Sequence, residues 1–413
     1  MLDLDSFKEV WQAITRNKTR SVLTAFGVFW GIFMYVVMTG LGNGFENGLM
    51  RMVDQISPNA VFFFPNATSV EYKGFNSGRF WSMNNDDMHM VKENIPAVEY
   101  VSGMMFMYPS NPTTYKERSG EYSINGIDNY YQEINPMPLL FGRFFNDFDM
   151  LEQRKMCIIG VTVWQTLFEN GMDPVGERLN VDGVFYTVVG VVNPGDAINL
   201  GGDAKEAIYI PSSTFQQVYN YGKNIDALMV AAYDKADINQ VENEIKELLK
   251  NKHFIAPEDN IAISHFNVQQ IFLMFNYLFL GLNILIWIVG MGTMLAGVVG
   301  VSNIMLVTIK ERTQEIGIKR AIGAKPRAIL MQVMSESTVL TFIAGFFGLF
   351  FGVLILTIVD KLVTDAEMFY NPYISFNMAV LAAVIILLSG AVAGIIPARN
   401  AVRIKAIDAL RDE

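Results

Sequence analysis

The chain has 413 residues, of which 51% are hydrophobic, and its mean hydropathy is +0.27. A composition this apolar excludes an ordinary soluble protein and predicts a membrane protein with a large soluble insertion. Its formal net charge of −10 gives no reason to expect nucleic-acid binding, and its single cysteine, Cys157, excludes an intramolecular disulfide.

Four charge-poor segments are long enough to cross a bilayer. The first is not a cleavable signal, because its apolar run is longer than that of a signal peptide. The predicted order is a cytoplasmic amphipathic helix at 1–20, a span at 21–42, an outer domain at 43–268, a span with an outer stalk at 269–309, a basic cytoplasmic segment at 310–330, a span at 331–360, a short outer loop at 361–373, a span at 374–398 and a cytoplasmic tail at 399–413.

Charge sets the predicted orientation. The segments 1–20, 310–330 and 399–413 together hold 14 Lys/Arg against 8 Asp/Glu, whereas 43–268 holds 16 against 29. Because basic segments stay on the cytoplasmic side, both termini are predicted to be cytoplasmic. The acidic outer domain favours either a cationic cargo or a solvated surface without further meaning, and the second interpretation is the simpler one.

The N-terminal segment precedes the first span directly. Its apolar residues Phe7, Val10, Trp11 and Ile14 form one helical stripe. This stripe favours an interfacial helix under the membrane, and a cytoplasmic extension of the first span explains it nearly as well.

The outer domain alternates strand and helix patterns. The predicted strands are Ala60–Phe64, Val98–Ser102, Ala227–Ala232 and Ile261–Ser264, and the predicted helices are Asp86–Asn94 and Ile238–Lys250. Two β-α-β patterns therefore bracket a middle section, roughly 104–215, which is richer in short strands and turns.

The second apolar run is too long for one ordinary span. Ile271–Ile309 has 39 residues without Asp, Glu, Lys or Arg, which makes about 58 Å of helix, nearly twice a hydrocarbon core. Two crossings would put the following basic segment on the acidic side, so one helix that crosses once and continues as a stalk is predicted. An apolar stalk needs partners, most simply a second copy of the chain. The predicted dimer-packing residues are Phe272, Phe275, Leu278 and Phe279 on the stalk, and Gly292, Ala296 and Gly300 as a small-residue ridge.

The basic segment Lys310–Leu330 holds six Lys/Arg and two Glu between two apolar runs. Gly323 is placed to end a short helix and Pro326 to begin the next, so the pattern predicts a helix, a tight turn and a helix. The residues alone support two interpretations about equally. The segment is either a docking surface or a cytoplasmic turn whose charges only fix topology.

Five stretches carry a resemblance to a known family. The run GVSNIMLVTIKERTQEIGIKRAIGAKPRAILMQVMSES closely resembles the signature segment of ABC-transporter permeases of the MacB/FtsX type. The first span, SVLTAFGVFWGIFMYVVMTGLGNGFENG, and the ending PARNAVRIKAIDALRDE resemble the corresponding parts of MacB-like permeases. The outer-domain pieces CIIGVTVWQTLF and DPVGERLNVDGVFYTVVGVV resemble their periplasmic domain.

The resemblance implies a fold class. It is a membrane protein with four transmembrane α-helices and a large α+β extracytoplasmic domain, in which porter-like β-α-β units at 50–103 and 216–268 are split by an inserted β-rich subdomain at 104–215. It also implies a multi-pass protein of the bacterial inner membrane that works as a homodimer among membrane lipids. A separate ABC ATPase subunit would bind ATP and Mg, and this chain would bring no cofactor.

Within this family the basic segment couples the permease to the ATPase. The residues expected to form that contact are Glu311, Arg312, Glu315, Ile316, Gly317, Lys319, Arg320, Gly323 and Ala324. Arg and Lys would meet acidic groups, and Ile316 would fill an apolar pocket of the partner. MacB-type members export antibiotics, peptides or toxins with a periplasmic adaptor and an outer-membrane channel. Lipoprotein release, FtsX-like signalling to cell-wall hydrolases and a non-transporting receptor or scaffold are the alternatives.

The sequence offers no catalytic constellation. It contains no G-x-x-x-x-G-K-[ST] phosphate-binding loop, so no ATPase activity is expected of it. His89, His253 and His265 are scattered without ligand spacing, so no metal site is expected either.

Overall fold

The computed structural model describes residues 18–53, 56–169, 171–194, 201–363 and 369–403, without the side chains of 18–24 and 52–53. The stripe predicted from Phe7 to Ile14 and most of the predicted tail lie outside these residues. The chain divides into a helical unit, Met1–Leu49 with Tyr277–Glu413, and a sheet unit, Met50–Asn276.

Eleven α-helices occur in this part of the chain. They are α1 (Lys18–Val53), α2 (Asn85–Asn94), α3 (Tyr131–Ile134), α4 (Asp147–Leu151), α5 (Val161–Leu167), α6 (Ser212–Val218), α7 (Ile238–Lys252), α8 (Val268–Glu311), α9 (Thr313–Ala321), α10 (Pro326–Leu362) and α11 (Phe376–Arg403). A short 3-10 helix covers Ala204–Glu206.

Fourteen strands lie between these helices. They are β1 (Ala60–Pro65), β2 (Met83–Asn84), β3 (Val98–Met107), β4 (Thr113–Tyr115), β5 (Arg118–Gly120), β6 (Ser123–Ile127), β7 (Leu139–Gly142), β8 (Met156–Gly160), β9 (Arg178–Val181), β10 (Val184–Val192), β11 (Ala207–Pro211), β12 (Asn224–Ile225), β13 (Ala227–Ala232) and β14 (Ile263–Asn267).

Four helices of the described chain, α1, α8, α10 and α11, are long and apolar enough to cross a membrane. Helix α8 has 44 residues, which corresponds to about 66 Å. It contains no proline, its glycines do not interrupt it, and it continues as one element past the boundary between the two units. The four-helix prediction is confirmed.

Small residues let α1 pack closely in the helical unit. A methyl group added at Gly27 would lie 3.3 Å from the Cα of Gly297 on α8, and one at Gly348 on α10 would lie 2.7 Å from the carbonyl oxygen of Phe29. Because lipid tails are as apolar as leucine, such close backbone contact is a main source of helix association in a membrane. Ile32 of α1 is fully buried between these contacts.

A single twelve-stranded sheet forms most of the sheet unit. Eleven strands follow the order β14-β1-β13-β3-β6-β11-β8-β10-β9-β4-β5, and β7 pairs with β10 as well. Only the pairs β6–β11 and β8–β10 are parallel in the described sheet. Strand β3 is longer than predicted because it pairs with β13 through its first half and with β6 through its second. It therefore crosses the subdomain boundary predicted at 103/104.

Both faces of this sheet are covered. In β1, Val61 and Phe63 belong to one core cluster, whereas Ala60 and Phe62 belong to the cluster on the opposite face. Alternate residues of a strand point to opposite faces, so two-sided burial requires an unbroken apolar run. This requirement explains the sequence AVFFFP of β1 and the sequence ALMVAA of β13.

A buried carboxylate fixes the loop before β14. Asp259 accepts hydrogen bonds from the backbone N–H groups of Ser69 (2.6 Å), Ile261 (3.0 Å) and Ala262 (3.1 Å), and from the Ser69 hydroxyl (2.8 Å). Burial opposes ionisation, but these hydrogen bonds outweigh it and lower the pKa of Asp259 to about 2. Because two of the N–H groups bind Asp259, β14 begins at Ile263 and not at the predicted Ile261.

We expect Asp259→Asn to destabilise the protein by about 3 kcal/mol, because the amide NH2 would replace one carboxylate oxygen and face backbone N–H donors from which it cannot accept. The measurement is urea unfolding of the full chain in detergent, followed by circular dichroism. The difference from wild type should be complete above the unfolded pKa of 3.8 and shrink as the pH falls towards 2, since Asp259 then becomes protonated in the wild type. Asp234→Asn, at an exposed position, is the matched control. Equal stability of the two variants at pH 7 would contradict the assignment.

Candidate functional site

Helix α9 ends in a Schellman motif. The N–H of Ala324 donates to the carbonyl of Lys319 (3.0 Å), and the N–H of Gly323 donates to the carbonyl of Arg320 (3.1 Å). Gly323 has φ +102°, a conformation that costs little only for glycine. Pro326 then occupies the first turn of α10. The predicted helix, turn and helix, with Gly323 as the cap and Pro326 as the restart, are confirmed.

An ion pair attaches the start of α9 to α10. Arg312 Nη1 lies 3.3 Å from both carboxylate oxygens of Glu336. The carboxylate is buried, with 7% of the residue exposed. Arg312 Nε is also 3.7 Å from Glu315 on the following turn. Since removing one member of a buried pair leaves the other charged and desolvated, this contact strongly favours one position of α9.

Three further contacts hold the rest of α9. Arg320 Nη1 donates to the carbonyl of Val402 on α11 (2.8 Å). Ile316 packs against the core of the helical unit, and Gly317 is buried beside it. Lys319 Nζ reaches Gln332 Oε1 on α10 at 3.4 Å. Helix α9 is therefore attached along its whole length to α10 and α11, at the ends of these helices that are predicted to be cytoplasmic.

The opposite face of α9 is apolar and exposed. Ile318 is 43% exposed and Ile322 is 82% exposed. The two residues are spaced i,i+4 and so lie on one face of the helix. Glu311 and Glu315 border this face and are exposed as well. Exposed isoleucines next to charged side chains are typical of a protein-binding surface.

The structure corrects the role predicted for Ile316. That residue was expected to fill a pocket of the partner, but it faces the chain's own core. The 3.6-residue period places it on the same face as Arg312 and Arg320, which are also bound within the chain. Ile318 and Ile322 take the outward position. The sequence signal for them was available, since the two isoleucines lie at i,i+4 within the predicted contact segment.

Sequence reasoning also missed the partner of Glu336. Its partner in the structure is Arg312 on the segment that precedes α9. The pairing requires α8 to end at the depth where α10 begins, which no periodicity within one segment reveals. Gly323 is exposed and Ala324 is half-buried at the turn.

The outer part of α8 finds some of its partners within the chain. Phe279 is 4% exposed and lies edge-on to Phe45 of α1, with ring centroids 6.2 Å apart. Phe272 packs against a core cluster of the sheet unit. For these two residues, the inference that an apolar stalk needs a second chain does not hold. Leu278 remains exposed and Phe275 is half-buried.

The small-residue ridge of α8 faces away from the chain. A methyl group at Gly292 or Gly300 would meet no atom within 4 Å, and Ala296 between them is exposed. Gly297 lies on the other face and packs against Gly27. The helix thus has one small-residue face used within the chain and one that is open.

A buried polar cluster holds the first turn of α8. Asn267 caps the helix by accepting from the N–H of Gln270 (3.2 Å), and its own amide donates to Glu242 on α7 (2.7 Å). Glu242 is also paired with Lys246 and lies 3.0 Å from His265 Nε2. Burial opposes ionisation of Glu242, but the bonds from Lys246 and Asn267 outweigh it and lower its pKa. The start of α8 is therefore fixed to α7 and β14.

The next feature is the set of side chains that could bind a metal ion. Within the described ranges, no group of three His, Cys, Asp or Glu residues is placed to hold a metal ion. What the site offers is an anchored short helix with an exposed apolar face, joined to a long helix that is capped at its far end.

Two family models match the chain. Residues 21–248 match the MacB-like periplasmic core domain, which is more than half of the chain, and residues 287–406 match the FtsX-like permease C-terminal region. The chain belongs to the family of MacB-like ABC transporter permeases. It is a multi-pass protein of the bacterial inner membrane, and its sheet unit lies mainly within the region of the periplasmic core model. The predicted family and fold class are confirmed.

Two relatives of this MacB-like chain are named as export proteins. The macrolide export ATP-binding/permease protein MacB of Bdellovibrio bacteriovorus is 27% identical over 417 residues, which cover 99% of this chain and 62% of the relative. The pyoverdine export ATP-binding/permease protein PvdT of Pseudomonas putida is 27% identical, with 99% and 60% covered. The chain thus spans about three fifths of the length of these curated relatives.

A solved structure similar to the MacB-like chain is the periplasmic region of MacB from Actinobacillus actinomycetemcomitans. It has 17% sequence identity and a TM-score of 0.44, and the match covers 54% of this chain and 95% of that one. The basic segment Lys310–Leu330 lies within the FtsX-like match.

We expect Glu336→Leu to loosen α9 of the MacB-like chain, because Arg312 would lose its buried partner on α10 and keep only Glu315, at 3.7 Å on its own side of the contact. Amide exchange of residues 313–321, measured by mass spectrometry on the full chain in detergent, should become at least about tenfold faster. The exchanged pair Arg312→Glu with Glu336→Arg should recover part of the protection. Arg327→Leu, at an exposed position on the first turn of α10, is the matched control. Unchanged exchange in Glu336→Leu would refute the anchoring role.

Proposed function

We propose that this chain is the permease of a MacB-type exporter, which uses ATP hydrolysis to move an antibiotic, peptide or toxin out of the periplasm. An ABC ATPase outside these 413 residues hydrolyses the ATP, and we assign it to a separate subunit. A periplasmic adaptor and an outer-membrane channel complete the path. The observation that carries the proposal is the exposed pair Ile318 and Ile322 on a helix that is otherwise anchored.

The anchoring explains how force would pass from the ATPase. A partner that binds Ile318 and Ile322 pushes on α9, and the contacts of Arg312 and Arg320 pass that displacement to α10 and α11. Helix α8 ends one residue before Arg312 and runs unbroken for 44 residues. Its first turn is held by Asn267 and Glu242, so a movement of the helix is transmitted into the sheet domain. Packed elements of this kind shift between discrete positions and do not bend continuously.

The ATPase contact requires α9 to lie in the cytoplasm. The basic residues of Lys310–Leu330 favour that side, and both termini are assigned to it for the same reason. A receptor or scaffold that moves nothing would not need the contacts that anchor α9 to α10 and α11.

A photo-cross-linking residue placed at Ile322 should capture a protein that carries a Walker A motif, because this side chain is 82% exposed on the proposed contact face. The experiment uses living cells of the native host and identifies the product by mass spectrometry. The same residue at Phe80, an exposed position in the sheet domain, is the control and should not give this product. An Ile322 product without any ABC ATPase would favour the receptor or scaffold alternative.

We also propose that two copies of the chain pack through the open ridge of α8. Gly292 and Gly300 leave space for a second helix backbone, while Gly297 is already used by α1. Small residues at i,i+4 are the usual means of such close packing.

In a Cys157→Ser background, Ala296→Cys should form a disulfide-linked dimer in native membranes when a mild oxidant is added, because the proposed partner helix would bring the two sulfur atoms within bonding distance. Non-reducing electrophoresis gives the readout. Leu388→Cys, on the exposed face of α11, is the control and should stay monomeric. Dimers of Leu388→Cys but not of Ala296→Cys would move the interface away from α8.

A further inference from the structure

An acidic crevice lies on the inserted part of the sheet domain. It has a volume of about 310 Å³ and is bordered by the end of β3, the start of β6 and the 3-10 helix before β11. The side chains that matter for its chemistry are Tyr108, Glu121, Tyr122, Ser123, Asp203 and Glu206.

Three carboxylates border this crevice without a cationic side chain among its lining residues. In the part of the chain that the structure describes, none of Glu121, Asp203 and Glu206 forms an ion pair with Lys or Arg. Asp203 accepts one hydrogen bond from the backbone N–H of Lys205 (2.9 Å). Negative charges gathered on a concave surface raise the local concentration of cations.

A buried hydroxyl at the crevice has no partner. Ser123 is 6% exposed, and its Oγ makes no hydrogen bond to any described residue. A methyl group added at Gly202 would lie 2.9 Å from this oxygen, so the missing side chain leaves space in front of the hydroxyl. Gly202 has φ +107°, which also favours glycine. Buried hydroxyl groups are normally hydrogen-bonded, so a ligand that donates an N–H group to Ser123 Oγ would supply the missing hydrogen bond.

The positions of the three carboxylates favour an organic cation over a metal ion. No three acidic or histidine side chains of the described chain come together tightly enough to hold a metal ion, so the carboxylates are spread along the crevice. Spread acceptors suit a cation with several N–H donors. Tyr108, which is 75% exposed, offers an aromatic ring next to them. The volume lies at the lower end of small-molecule sites.

We propose that this crevice binds an organic cation through a protonated amine or guanidinium group. The carboxylates of Glu121, Asp203 and Glu206 neutralise its charge, and Ser123 Oγ accepts one N–H. This binding does not depend on the ATPase contact at α9 and remains testable if that contact fails. The cationic group belongs either to a free small molecule or to an arginine side chain of a peptide.

The test is calorimetric titration of the full chain in detergent with agmatine, and separately with the tripeptide Gly-Arg-Gly. The triple variant Glu121→Gln, Asp203→Asn, Glu206→Gln should bind at least about tenfold more weakly than wild type, because all three charges are lost. Ser123→Ala should weaken binding by about threefold to tenfold. Asp203 is the N-cap residue of the 3-10 helix, and because Asn is also a good N-cap residue, Asp203→Asn preserves this helix. Equal unfolding temperatures would show that the variants are folded.

A second triple variant removes the same charge elsewhere in the sheet domain. Glu93→Gln, Asp234→Asn and Glu258→Gln change exposed carboxylates outside the crevice. Binding should fall by less than about twofold. An equal loss in both triple variants, or no binding by wild type at about 10 mM of either probe, would overturn the proposal. Tighter binding of the tripeptide would identify a peptide as the source of the cation, and tighter binding of agmatine a free amine.

Discussion

The structure depends on one constraint, which is that α8 has no Asp, Glu, Lys or Arg from its first residue, Val268, up to Lys310. A helix that crosses lipid must satisfy its backbone internally and keep ionised groups out of the hydrocarbon. Its polar contacts are therefore gathered at its two ends. At one end Asn267 caps the helix and binds Glu242, and at the other Arg312, the first residue after the helix, binds Glu336. Between these ends, packing contacts such as that of Gly297 with Gly27 position the helix.

The anchoring at Arg312 changes the meaning of the basic segment. Lys and Arg in a cytoplasmic segment are usually explained by topology or by an acidic partner. Here Arg312 and Arg320 bind within the chain and leave the apolar face of Ile318 and Ile322 for contact. A buried ion pair adds little net stability compared with apolar packing, but it penalises every arrangement that separates its members. That property suits a helix that must move together with its neighbours.

The sequence predicted elements well where one segment determines its own structure. Ala227–Ala232 was predicted as a strand and has the same bounds in the structure, because its unbroken apolar run reflects burial on both faces. The end of α9 followed from Gly323 and Pro326 in the same way. Contacts between distant segments were not predictable. Glu336 lies 24 residues from Arg312, and the delayed start of β14 depends on Asp259 binding N–H groups that the ladder would otherwise use.

The acidic residues of the sheet domain fall into two groups, which the net charge does not distinguish. Asp87 and Asp149 are buried, and each is paired with a basic side chain, Lys252 for the first and Arg143 for the second. These carboxylates stabilise the fold, because unpaired burial would be too costly. The carboxylates at the crevice are exposed, and within the described structure they have no basic partner. Self-repulsion among them lowers stability slightly, so their position is better explained by an occupant than by the fold.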